Sequence, residues 1–114
     1  MNEVRCAGGG MMLEVYKDPG WGQINVRTIP PGATAGGHRH PRTNEVWTLL
    51  RGRLRVRLSD EPFEVEMKEG DSLAVRAGCG HAVENVGGGE AVLLFWRDRL
   101  YDAENPDKKP WVPA

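Results

Sequence analysis

Histidine and cysteine are both scarce in this chain of 114 residues, which has three of the first and two of the second. Cys6 and Cys79 can make at most one disulfide, which excludes the cysteine-stapled scaffolds of small secreted proteins. No charge of either sign is in excess: 15 basic residues stand against 16 acidic ones, for a net charge of -1. A polyanion could bind only to a local patch, so nucleic acid and anionic membrane are excluded as the expected partners. Long hydrophobic runs are missing too. The longest extends only from Ala91 to Trp96, far short of the roughly 18 residues that span a bilayer. The N-terminus has no basic segment followed by an apolar stretch, so a cytoplasmic chain is expected. There are no internal repeats and no linker, and the length suits one domain over residues 1–114.

Helical periodicity is also lacking, because glycine (15) and proline (8) interrupt nearly every longer stretch. The segments between them alternate or are continuously apolar. Strands are expected at Met12–Tyr16, Gln23–Ile29, Glu45–Leu50, Arg53–Leu58, Phe63–Met67, Ser72–Val75, His81–Val86 and Ala91–Trp96. Many short strands between turn signals make an all-β sandwich or barrel. Arg53, Arg55 and Arg57 share one face of their strand, with Leu54, Val56 and Leu58 on the other. Ser59-Asp60-Glu61-Pro62 reads as a hairpin turn, and the returning Glu64 and Glu66 fall opposite the arginines. This reads as a solvated face of charge pairs, not a phosphate stripe.

The three histidines are placed with purpose. His38 and His40 lie two apart, so an extended segment presents both imidazoles on one face. Glu45 follows after Pro41-Arg42-Thr43-Asn44, a turn short enough to return its carboxylate beside them. His81 arrives from a distant strand start after Gly78-Cys79-Gly80. Three imidazoles and a carboxylate suit one divalent transition metal, Zn, Ni, Fe, Mn or Cu, with one or two positions left for water or a small-molecule ligand. Trp47 shares the strand parity of Glu45 and is expected to wall the pocket, to pack in the core, or both. Cys79 stands in the loop at the rim, as a substrate contact, an extra soft ligand, an oxidation-sensitive group or a small residue in a turn.

These residues belong to a wider pattern. Gly32, His38-Arg39-His40, Glu45 and Gly52, spanning 32–52, resemble the first motif of the cupin superfamily. Gly70, Gly78, His81 and Asn85, spanning 70–85, resemble the second, with Arg76 where that family usually has proline. The resemblance implies a jelly-roll barrel, the double-stranded β-helix, of two antiparallel sheets, with His38, His40, Glu45 and His81 as metal ligands. Gly52 and Gly70 would then sit in turns that need a positive φ, and Asn85 would be a hydrogen-bonding residue at a strand end. Cupins are commonly dimeric. Val92, Leu94 and Trp96 give the last strand a second apolar face, to be covered by a partner chain or by the tail of residues 97–114 folding back. Trp21 and Trp111 are expected to cover the barrel ends.

The tail carries a weaker likeness. Leu94-Phe95-Trp96 followed by Leu100-Tyr101-Asp102-Ala103-Glu104-Asn105-Pro106-Asp107 is similar to the ending of the cupin half of capsular-polysaccharide nucleotide-sugar epimerase/reductases. Lysines that this group places near its first motif are not at Thr43 or Val46, and no nicotinamide-binding reductase domain is expected within 114 residues. The likeness implies a metal-dependent isomerase or epimerase acting on a sugar or nucleotide-sugar. An Fe(II) dioxygenase and a non-enzymatic metal- or ligand-binding module use the same ligands and stay open. No residue stands out as the general base among Tyr101, Cys79 and the carboxylates.

Overall fold

A computed structural model describes residues 2–113, and among these described residues there are eleven strands and no helix. They are β1 (Asn2–Arg5), β2 (Met11–Asp18), β3 (Gly22–Ile29), β4 (Thr34–Arg39), β5 (Glu45–Arg51), β6 (Leu54–Leu58), β7 (Glu64–Met67), β8 (Ser72–Val75), β9 (His81–Asn85), β10 (Ala91–Arg97) and β11 (Lys109–Pro110). All pairings are antiparallel, in two sheets ordered β1-β2-β3-β10-β5-β8 and β11-β4-β9-β6-β7. This is the all-β architecture expected from the strand pattern and, more specifically, the two-sheet jelly roll that the cupin resemblance implied.

The alternation of side chains builds the core. On β5 and β6 the odd and even positions respectively turn inward, burying Trp47, Leu49, Leu54, Val56 and Leu58 against Val83, Leu93 and Met67. Gly52 and Gly70 take the positive φ expected of them, 96° and 87°. The arginines of β6 point outward and meet the glutamates of β7 in the expected register, Arg55 opposite Glu66 and Arg57 opposite Glu64. Arg53 pairs with Glu66, Arg55 also reaches Glu84 at 3.3 Å, and Arg57 lies 3.7 Å from Glu64. The solvated-face reading of these charges holds.

Asn85 closes the end of β9. Its Nδ2 donates to the carbonyls of Ile29 and Gly89 at 2.8 and 2.9 Å, and its Oδ1 accepts from the Gly87 amide at 2.9 Å. The strand-end role expected of it is the one it performs.

Three strands lie outside the sequence expectation. β1 and β11 have exposed side chains and no amphipathic pattern. β4 contains Gly36-Gly37, which reads as a turn. Trp21 also departs from expectation: it is 79% exposed and covers nothing, and only its main chain is engaged, the amide donating to the Asp18 carbonyl at 3.1 Å and the carbonyl accepting from Trp96 Nε1 at 2.8 Å. Its place in the Gly20-Trp21-Gly22 turn between β2 and β3 leaves it no apolar neighbour to pack on. The tail does not fold over the outer face of β10. It crosses to the other sheet, where Lys109 and Pro110 pair with Arg39 and His38.

Candidate metal centre

The pairing of β4 with β9 sets where the histidines point. Ala35 opposes Val83 and faces the core, and Gly36 opposes Ala82, yet it is His38 that opposes His81. The register shift is a β-bulge at Gly36-Gly37, whose φ angles are 85° and 80°. A side chain at Gly36 would meet the His81 carbonyl oxygen at 2.9 Å, so the bulge requires glycine. It returns His38 and then His40 to the interior. His81, the first residue of β9, is brought there by the loop through Gly78 and Gly80. The Trp111 ring lies so close over Gly80 that a Cβ there would stand 2.3 Å from it.

The three rings converge. Their centroids lie 4.7 Å (His38–His81), 4.8 Å (His38–His40) and 5.2 Å (His40–His81) apart, and one ring nitrogen of each lies within 4.8 Å of the others. His40 Nδ1 donates to the Asp107 carbonyl at 2.8 Å and His81 Nδ1 donates to the Cys79 carbonyl at 3.2 Å. A carbonyl can only accept, so Nδ1 carries a proton in both rings, and Nε2 is the nitrogen each ring offers as a ligand when neutral. Glu45 opens β5 beside them, its Oε2 3.7 Å from His40 Nε2. Its other oxygen accepts from Trp47 Nε1 at 3.1 Å, and the Trp47 ring stands edge-on to His81 with centroids 5.3 Å apart.

Burial favours neutral imidazoles. Desolvation, reinforced by the charges of His81 and His40, lowers the His38 pKa to about 3. Burial also lowers that of His81, although Glu45 and the Cys79 carbonyl pull the other way. Neutral imidazoles with fixed tautomers and one adjacent carboxylate are the donor chemistry of a borderline divalent ion, and the residues present fit such an ion.

The tail completes the support. Asp107 Oδ2 accepts from the Arg42 amide and from Thr43 Oγ1, both at 2.7 Å. Burial disfavours its ionised form, but these two hydrogen bonds and the Arg99 charge outweigh that and hold the carboxyl below the ordinary aspartate value. Arg97 Nη2 donates to the same Thr43 hydroxyl at 3.3 Å, and Asp98 fixes Asn44 through 3.0 and 2.8 Å hydrogen bonds. The turn from His40 to Glu45 is thus clamped by β10 and the tail together.

With this geometry in view, the chain can be placed among known proteins. Residues 25–97 match the family model Cupin_2, described as a cupin domain. The chain belongs to that family. The cupin is 29% identical over 104 residues to a UDP-2-acetamido-2,6-beta-L-arabino-hexul-4-ose reductase of Pseudomonas aeruginosa, a match covering 86% of this chain and 28% of the reductase. Among solved structures it resembles the capsular polysaccharide assembling protein CapF of Staphylococcus aureus, with a TM-score of 0.87 and 24% identity over 96% of this chain and 34% of CapF. A CapF complex with the inhibitor 3-isopropenyl-tropolone has a TM-score of 0.85 at 26% identity. KdgF from Halomonas sp. has a TM-score of 0.72 at 17% identity, covering 87% of this chain and 89% of that one. The cupin thus spans about a third or less of the reductase and of CapF.

The structure places the expected residues as follows. His38, His40 and His81 form one cluster, with Glu45 next to His40 and Trp47 as a wall. The Cys79 thiol packs in the core, near Ser59 Oγ and the Gly80 carbonyl, and its backbone serves His81. Trp111 covers the loop before His81, as a barrel-end residue should. Arg27 and the Asp107 support went unnoticed in the sequence. Parity is the one signal that could have found Arg27, since it shares the inward face of β3 with the buried Gln23, Asn25 and Ile29. Two surface depressions lie away from the histidines. One is lined by Arg55, Arg57 and Glu84, the other by Arg51, Arg53, Lys68 and Glu69, and neither contains a converging donor set.

Proposed function

We propose that this cupin binds one divalent transition metal through His38, His40, His81 and Glu45, and that it acts on a keto-sugar or nucleotide-linked sugar by isomerisation or epimerisation. The observation that carries the reading is the convergence of three imidazoles, one half-buried and two buried, the buried pair held through Nδ1 by backbone carbonyls. An ion held by these four residues would supply Lewis acidity to a substrate carbonyl. The residues do the positioning: the Cys79 and Asp107 carbonyls orient two ligands, Trp47 walls the pocket, and Arg97 with Thr43 fixes the turn before Glu45. The sugar assignment draws on the reductase of P. aeruginosa, whose likeness extends over most of this chain.

Protein expressed in metal-replete medium is expected to carry one zinc, nickel, manganese or iron per chain. His38→Ala abolishes that content. The metal-loaded protein is expected to bind tropolone, a bidentate oxygen chelator, and to exchange solvent deuterium into a nucleotide-linked 4-keto-sugar beside the carbonyl. Absence of metal together with unchanged stability of His38→Ala would refute the metal reading, and metal without exchange would refute the sugar reading. We further propose a homodimer packed through the outer face of the six-stranded sheet. That face exposes Tyr16, Val46 and Leu50 and leaves Val92, Leu94 and Trp96 half-buried. Light scattering that returns the 12.6 kDa monomer mass at micromolar concentration would refute it.

A further inference from the structure

The inward face of β3 carries two amides, Gln23 and Asn25, that are 1% and 2% exposed. Gln23 Nε2 donates to Glu14 Oε2 at 3.0 Å and to Asn25 Oδ1 at 2.9 Å, and Gln23 Oε1 accepts from the Tyr101 amide at 3.1 Å. Lys17 and Asn2 hold the Glu14 carboxyl below the ordinary glutamate value, so it is ionised and only accepts. Glu14 and the Tyr101 amide together fix which end of Gln23 is nitrogen, and the Gln23 nitrogen can then meet only the oxygen of Asn25. The Asn25 Nδ2 is thereby turned away, and it has no hydrogen-bond partner among the described residues. Among those residues the one unpartnered side-chain nitrogen or oxygen closed to solvent is Arg27 Nε. Asn25 Nδ2 therefore opens on solvent-accessible space, although the residue that carries it is buried.

Strand register brings this donor to the level of the histidine site. Gln23 lies level with Arg97 and, one strand further, with Glu45, while Asn25 lies level with Phe95 and Trp47. Glu45 and Trp47 are the residues that stand beside His40 and His81. The facing sheet agrees. Asn25 stands four residues before the end of β3 at Ile29, and His38 four residues after the start of β4 at Thr34, on either side of the turn through 30–33. Two strand spacings, about 10 Å, separate Asn25 from Trp47. Phe95, between them, faces inward against the core but is only partly buried. A locked donor on one side, an aromatic floor and the imidazoles beyond it are the few convergent polar groups on an apolar wall that orient a small molecule. An amide nitrogen without charge suits a neutral oxygen, and a donor held ready but unpaired costs stability until a ligand meets it.

We propose that Asn25 is a specificity-determining residue, its Nδ2 donating to a ring hydroxyl or keto oxygen of a monosaccharide seated over Phe95 with its reacting end at the histidines. The proposal rests on the histidines forming a ligand site, and its test separates the two. In 15N-labelled protein the Asn25 Nδ2 resonances are followed during titration with D-glucose, D-galactose and D-mannose, in zinc-loaded and in zinc-free protein. At least one of these sugars is expected to shift them saturably, while the exposed side-chain amide of Asn105 stays in place as the internal control. Asn25→Asp keeps the oxygen that Gln23 meets and replaces the free donor by an acceptor. It is expected to weaken that sugar roughly 10-fold or more, the effect of losing one hydrogen bond to a buried partner, with zinc content unchanged. One deoxy analogue of the same sugar, lacking the hydroxyl that Asn25 meets, is expected to lose the same factor in the parent and nothing further in Asn25→Asp. Should that variant fail to fold, the deoxy series in the parent decides by itself, since one analogue must then bind without moving the Asn25 resonances as the full sugar does. No response to any of the three sugars, equal affinity in Asn25→Asp and the parent, or a deoxy series without such a member overturns the proposal whether or not zinc binds. Failure of zinc to bind while Asn25 still responds overturns the metal reading alone.

Discussion

Replacing Asp107 with alanine tests whether the tail orients a metal ligand or merely rests on the surface. Its Oδ2 accepts two hydrogen bonds of 2.7 Å, from the Arg42 amide and Thr43 Oγ1. The Arg42 amide is exposed and can turn to water, so its loss costs little. Thr43 is 1% exposed, and its hydroxyl would be left in a buried position without its acceptor. Taking about 1 kcal/mol for each lost bond and a further 1 kcal/mol for that hydroxyl gives roughly 2 to 3 kcal/mol. The zinc-free variant should therefore unfold at a urea concentration about 1 to 2 M below the parent. The Asp107 carbonyl also accepts from His40 Nδ1. Once the tail is loosened His40 loses its fixed tautomer, and zinc affinity, measured by competition with a chromophoric chelator, should fall about 10- to 100-fold. Asp107→Asn keeps one acceptor oxygen and should lie between the two. A variant that loses the stability yet holds zinc as tightly as the parent would refute the orienting role. One unchanged in both measurements would refute the clamp itself.

Other outcomes follow from the same structure. Gly80→Ala forces a methyl against the Trp111 ring; it should cost about 1 to 3 kcal/mol and shift tryptophan emission to the red as Trp111 is displaced. Asn85→Ala removes three hydrogen bonds of the strand-end knot and should cost roughly 3 kcal/mol by urea titration. Asn85→Asp should be no milder, because a carboxylate cannot donate to the Ile29 and Gly89 carbonyls. In chelator-treated protein the depressed pKa values of His38 and His81 make unfolding take up protons. Stability should thus be full above about pH 6.5 and fall between pH 6.5 and 5, before the carboxylates titrate. His38→Asn should flatten that slope, and a parent whose urea midpoint is constant over this range would contradict the burial of these rings.

The strands were legible wherever one face alternates, as in β6, because burial writes itself into every second residue, and β10 was legible as a short continuous apolar run. The same logic failed at β4. Gly36-Gly37 carries no side chain to display a pattern, and both residues sit at a bulge. β1 and β11 are held by main-chain pairing along their neighbours, which leaves no trace in residue type. The histidines were legible because only three are present, and Glu45 because its spacing from His38 and His40 matches the first cupin motif. Arg27 was hidden because charge on an alternating strand is read as solvent-facing, and the inward polar run Gln23, Asn25, Arg27 reverses that rule only where a barrel encloses a polar mouth. Asp107 works partly through its carbonyl, which no side-chain pattern can report.

The bulge on β4 makes the strand a counting device. Between Ala35 and His38 the ladder holds one residue more than its partner strand needs, and that surplus decides which side of the sheet every later side chain occupies. Deleting either glycine would remove the bulge and leave His38 opposite His81. Inserting one residue beside them, with no second bulge to absorb it, would instead turn His38 and His40 to solvent together and bring Arg39 inward. Donor chemistry in this protein therefore depends on the length of a segment that supplies no donor, and a single-residue insertion between Ala35 and His38 should be tolerated less well than deletion of one of the two glycines.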